Sequence, residues 1–146
     1  MKKKTITICS SASFYRKVLA IQETLSKLGY SVLVPDTAVL MKKNDDFDIS
    51  HYKTWYSNEK DYKKKTMLMR NHFKKVLKAD IILVVNEEKN GRKGYIGGNV
   101  LMEMTLAFHF KKPIYILNPV DTTSQFLEEI LGLHPIMLDG STKKLA

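Results

Sequence analysis

The sequence predicts an α/β fold: a single three-layer domain with a five-stranded, mainly parallel sheet flanked by helices, Rossmann-like or flavodoxin-like. Three observations predict it. Short β-branched runs alternate with longer stretches whose apolar residues recur at helical spacing. The run Ile81–Val85 is apolar at every position, as a central strand covered on both faces must be. Directly after it comes Gly91–Phe108, GRKGYIGGNVLMEMTLAF, which holds four of the seven glycines. A glycine-bearing turn between strand and helix is how open sheets build ligand sites at the carboxyl ends of their strands.

The elements follow in order. Thr5–Cys9 is a short buried strand ended by serines. Ser10, Ser11 and Ser13 are N-cap residue types. Val18, Ile21, Leu25 and Leu28 then repeat at helical spacing until Gly29 stops the helix. Ser31–Val34 is a second strand, closed by Pro35, so the first unit is βαβ with parallel strands. Asp36–Ile49 reads as irregular, because LMKKNDDFD has no period. His51–Leu68, with Tyr52, Trp55, Tyr56 and Tyr62 among lysines, reads as one or two helices. Arg70–Lys78 is a helix turning Phe73, Val76 and Leu77 inward. After Ile81–Val85, Asn99–Phe110 is a helix with Asn99 as its cap. Pro113–Leu117 is a strand, Thr122–Leu131 a helix with Gly132 behind it, and Ile136–Leu138 a last strand at the edge.

Composition bounds the class. A chain of 146 residues, 44% hydrophobic, has the size and apolar content of one domain with a core. Its longest aliphatic runs fall far short of the ~20 residues that span a bilayer, so no membrane partner is expected. The start MKKKTITICSSASF lacks the apolar stretch of a secretory signal. The single cysteine, Cys9, fits a reducing cytoplasm. The net charge of +9 is uneven: residues 1–78 carry 17 Lys and Arg against 7 Asp and Glu. A basic half can attract nucleic acid or phosphorylated ligands. The plainer reading of Lys2–Lys4, Lys42–Lys43 and Lys63–Lys65 is a set of solvated faces, and the aromatic-and-glycine pattern of RNA-binding modules is absent.

The carboxyl ends of the strands gather Cys9–Ser13, Pro35–Asp36, Asn86–Gly98 and Asn118–Asp121. Ser10 and Ser11 bring hydroxyls and free N–H groups to a helix start, which is an anion site or simply a cap. Gly97 and Gly98 let backbone approach a ligand, or let a loop close over it. The run is neither a Walker loop nor a first-strand GxGxxG turn, so no nucleotide cofactor is expected. Glu103 stands among Leu101, Met102, Met104 and Leu106, near a helix start whose dipole favours its ionised form. A carboxylate so placed needs partners or a task. His72 returns toward the carboxyl edge of the sheet and is a candidate proton donor. Asp80, at the opposite edge, is structural. No metal-ligand spacing occurs, so no metal is expected.

These residues resemble a known family. ITICSSASF, KADIILVVN and GYIGGNVLMEMTLAFHFKKPIYIL look like the nucleoside 2-deoxyribosyltransferase superfamily, which includes the 2′-deoxynucleoside 5′-phosphate N-hydrolases. The resemblance covers most of the chain and is weakest over Asp36–Leu68. It implies one such α/β domain over residues 1–146, no cofactor, a nucleoside or nucleotide as the small-molecule partner, and a homo-oligomer. It makes Glu103 the nucleophile that attacks the anomeric carbon, as in retaining glycosidases. Ser10 and Ser11 would hold sugar or 5′-phosphate, and Asn86, Gly97, Gly98 and Asn99 line the substrate site. Two positions depart from the family: Thr105 stands for a glycine, and Asn71–His72 occupy the region of an aspartate.

The leading function is cleavage or transfer at the N-glycosidic bond of a nucleoside or its 5′-monophosphate. A non-catalytic nucleotide-binding or signalling module on the same fold is the alternative. Nucleic-acid binding by the basic half is open but not favoured.

Overall fold

The computed structural model describes residues 3–145; the domain reading over residues 1–146 and the lysine run beginning at Lys2 extend past that span. Five strands form one sheet in the order β2-β1-β3-β4-β5: β1 Thr5–Ser10, β2 Ser31–Leu33, β3 Ile81–Val85, β4 Ile114–Ile116 and β5 Ile136–Met137. Every pairing is parallel. The chain winds outward from β1 to β2, then crosses to β3 on the other side. That reversal opens a crevice beyond the carboxyl ends of β1 and β3, where open α/β sheets bind ligands.

Alternation along the central strands divides the core. Ile6 and Ile8 of β1 join Ile81, Leu83 and Val85 of β3 beneath α1 (Tyr15–Lys27) and α2 (Asp36–Asn44). The opposite faces, with Cys9, Ile82 and Val84, are covered by α3 (Tyr62–Lys78), α4 (Gly98–His109) and α5 (Leu127–Gly132). All five residues of β3 are buried, as the apolar run requires. At the far edge Asp80 accepts the Thr5 N–H at 2.7 Å, the structural role expected of it. Among the described residues no helix is long and apolar enough to cross a membrane.

Several expected elements differ. Asp36–Asn44 is a helix rather than irregular chain. It buries Ala38 and Met41 alone, two apolar positions three apart that the lysines and Asp36 around them mask. Of His51–Leu68 only Tyr62–Leu68 is α-helix, as the first turns of α3; the chain before it runs as 3₁₀ turns at Ile49–His51, Thr54–Tyr56 and Glu59–Asp61. On α3 the inward face is set by His72 and Val76, whereas Leu77 is exposed and Phe73 half-buried. Packing against α4 selects that i, i+4 stripe and leaves Leu77 beside it. The stretch from Thr122 is turn until Leu127, shaped by Asp121, whose carboxylate takes the Thr123 N–H and hydroxyl at 2.9 and 2.6 Å.

Candidate active site

The crevice is a cavity of about 260 Å³, close to the lower end of the ~300–1,000 Å³ usual for small-ligand sites. The chain ends of β1 and β2, the 3₁₀ segment, α3 and the start of α4 enclose it, and Ser10, Ser11, His72, Gly97, Gly98, Asn99 and Glu103 all line it. One candidate is missing. Asn86 lies outside: its amide donates to the Asn118 carbonyl at 2.8 Å, and its oxygen accepts the Asn118 N–H at 2.9 Å. It ties the end of β3 to the end of β4, and its buried side chain is satisfied by that work.

Glu103 is the sixth residue of α4, on its inner face and 2% exposed. Its Oε2 accepts from Asn99 Nδ2 at 3.1 Å, and Asn99 Oδ1 accepts from Lys65 Nζ at 3.2 Å. Asn99 is thus a relay between cation and carboxylate and not the expected cap; Gly97 is the N-cap, with no side-chain bond. Burial pushes the Glu103 carboxyl up to about 8, against the pull of the Cys9 thiol and Lys65. The expected ionising effect of the helix dipole, worth ~0.3–1 kcal/mol, is too small to reverse a desolvation of several kcal/mol. In the free protein at neutral pH this carboxyl is therefore mostly protonated.

His72 projects from the middle of α3, with Nε2 3.8 Å from Glu103 Oε1. Burial, and then Lys75, push its ring down to about 4, so it is neutral at pH 7 and no imidazolium acid. The Ile8 backbone lies near enough to favour the charged ring, yet among the described residues neither ring nitrogen has a hydrogen-bond partner. Its neighbour Asn71 donates to Asp36 at 3.1 Å, and Asp36 also takes Lys75 at 2.5 Å. A carboxylate does reach this cleft, from α2 rather than α3.

Ser10 and Ser11 divide their work. Ser10 Oγ donates to the Val85 carbonyl at 2.8 Å, locking β1 to β3. Ser11 caps the 3₁₀ turn Ala12–Phe14 by accepting the Ser13 N–H at 3.4 Å, and also accepts from Lys89 Nζ at 3.4 Å. Gly97 passes close under Tyr95, whose hydroxyl would lie 3.0 Å from a Cβ there, while a Cβ on Gly98 would meet open space. The loop is tied to the chain beyond β4 at Gly94. Gly94 has φ +76° and its missing Cβ would sit 2.0 Å from the Pro119 carbonyl, and its own carbonyl accepts the Asp121 N–H at 3.1 Å. Thr105 is exposed and bonds back to Leu101 at 2.8 Å, so it does not crowd the cleft.

Three lysines and an aromatic wall were not singled out by the sequence. Lys53, Lys65 and Lys89 all line the cavity. Burial, then Lys65 and Lys89, hold the Lys53 ammonium below the usual lysine range. Three cations held within each other's field make a site for an anion. Trp55 is buried on the same wall, with Tyr62 6.5 Å away and Lys65 Nζ 5.6 Å above its ring. The cluster of aromatic residues between His51 and Tyr62 was the visible signal for this wall. Cys9, on the other side of Glu103, completes a buried trio with His72: their donor atoms all lie within 4.8 Å of one another.

No protein-family model and no curated protein matches the chain. Among solved structures it is similar to a 2-deoxyribosyltransferase from the psychrotolerant bacterium Bacillus psychrosaccharolyticus, at 16% identity and a TM-score of 0.53, over 84% of this chain and 78% of that one. The likeness establishes a shared fold, the five-stranded parallel sheet between helices.

Proposed function

We propose that this protein cleaves the N-glycosidic bond of a (deoxy)nucleoside 5′-monophosphate, with Glu103 as nucleophile. One observation carries the reading: a buried carboxyl at the floor of a small cleft whose rim holds three lysines and a tryptophan. The lysines and Ser11 would take the phosphate, and the base would lie along the wall that Trp55 and Tyr95 line. The ionised Glu103 attacks C1′ as the C1′–N bond breaks, and the bonding electrons leave with the base, which gains a proton. Water, or another base in the case of transfer, then displaces the ester and restores the carboxylate. Asn99 and Lys65 stabilise the anionic form of Glu103 from one side. The shared fold of a 2-deoxyribosyltransferase supports the reaction class, and a homo-oligomer belongs to the same reading.

The test is chromatography of free base after incubation with deoxynucleoside monophosphates and with the parent nucleosides. Base release from the monophosphates, abolished in Glu103→Ala, is the expected result. Equal release by Glu103→Ala would sink the assignment. Stabilisation by nucleotides with no base released would instead favour the non-catalytic module.

A further inference from the structure

The trio beneath the cleft combines three kinds of donor: a thiol, an imidazole and a carboxyl. All three residues are buried, and both nitrogens of His72 lack a hydrogen-bond partner among the described residues. An imidazole so placed forgoes two hydrogen bonds it would make in water. We propose that Cys9, His72 and Glu103 form a binding site for a thiophilic divalent cation, with Zn²⁺ the best fit.

The chemistry of the set selects the ion. Zinc takes thiolate sulfur at ~2.3 Å and imidazole nitrogen or carboxylate oxygen at ~2.0–2.2 Å, in tetrahedral geometry. Those bonds put neighbouring donors about 3.4–3.6 Å apart. His72 Nε2 and Glu103 Oε1 are already 3.8 Å apart, and the whole trio lies within 4.8 Å, so closure by about 1 Å of side-chain rotation suffices. Magnesium and calcium prefer oxygen ligands and would leave sulfur and nitrogen unused. The charges also balance. Cys9 and Glu103 each lose a proton on binding, the neutral ring loses none, and the two anions cancel the cation. Two cations oppose binding, Lys65 acting on the carboxyl and Lys75 on the ring. His72 and Glu103 line the cavity, so a fourth position opens toward the cleft for water or a ligand.

A filled site holds the carboxylate that the proposed reaction uses. Zinc therefore inhibits base release, and this consequence rests on the function proposed above. Binding does not depend on it.

The protein is stripped with EDTA, dialysed and titrated with Co²⁺, which reports a thiolate ligand through a near-ultraviolet charge-transfer band. One Co²⁺ per chain with that band, displaced by Zn²⁺, is expected. Loss of the band in Cys9→Ser and affinity at least about tenfold weaker in His72→Asn and Glu103→Gln are expected as well. Glu103→Gln is near-isosteric and keeps the test valid if a Cys9 variant fails to fold. No thiolate band in the wild type, or binding unchanged in Glu103→Gln, overturns the site. Base release that one equivalent of Zn²⁺ leaves untouched overturns the inhibition. A cobalt band without any base release would refute the glycosidase reading and leave the metal site standing.

Discussion

Replacing Glu103 by glutamine should make the metal-free protein more stable, and increasingly so as pH rises. The carboxyl titrates near 4.5 in an unfolded chain and near 8 when folded. Between those values the folded state keeps a proton that the unfolded state has released, so stability is full below 4.5 and is lost as pH climbs through 8. Each pH unit inside that window removes ~1.4 kcal/mol, giving about 3 kcal/mol at pH 7 and about 5 kcal/mol above pH 8. Glutamine does not titrate. Its oxygen can still accept from Asn99, and its amide faces the unpartnered His72 ring across the 3.8 Å gap. Urea unfolding of both proteins in EDTA, from pH 4.5 to 8.5, measures the difference and cancels titrations common to both. At pH 7 the thermal midpoint of the variant should sit roughly 10 °C higher, at ~2–4 °C per kcal/mol for this size. A difference between the two that is flat with pH, or a wild type more stable at pH 8, would refute the account of burial at Glu103. The variant should also be inactive, a stabilisation that costs function.

The remaining predictions use other parts of the site. In chelator, kcat/KM for base release should rise with pH toward a plateau with a midpoint near 8, since the nucleophile must be ionised in the free enzyme; a profile flat from pH 6 to 9 contradicts this. Lys53→Met should raise KM for a nucleoside monophosphate about tenfold, the equivalent of ~1.4 kcal/mol, while leaving the parent nucleoside nearly unchanged in the same steady-state assay. Gly94→Ala should lower stability by roughly 2–3 kcal/mol, because a Cβ meets the Pro119 carbonyl at 2.0 Å on a positive-φ backbone. Gly98→Ala, with open space around it, should be neutral or stabilising by up to ~1 kcal/mol; denaturant unfolding of the pair distinguishes the two glycines.

Much of the fold was legible because its signals are local. The unbroken apolar run Ile81–Val85 is a strand buried on both faces, and the β-branched run at Thr5 lies beside it in parallel. Glu103 could be singled out because a lone acid among apolar neighbours is conspicuous whatever surrounds it. The stretch from Asp36 to Asp61 was not legible. Its helix buries only two side chains, and its 3₁₀ turns follow capping by Asp48 and Asn58 rather than a hydrophobic period. Asn86 misled for a related reason: an amide at the carboxyl end of a central strand looks like a ligand group until its partner Asn118 comes into view across the sheet.

By itself the sequence determined the parallel sheet, the glycine loop after its central strand and the acid on the helix beyond, since period and residue type are properties of neighbours in the chain. Only the tertiary structure decided what that acid is. It set Cys9 and His72 against Glu103, gathered Lys53, Lys65 and Lys89 on one rim, and turned Leu77 outward. Burial and electrostatic coupling are properties of neighbours in space. Burial overrides the helix dipole and the pull of Cys9 and Lys65 at Glu103 and holds its carboxyl near 8, and no local pattern in the sequence encodes that number.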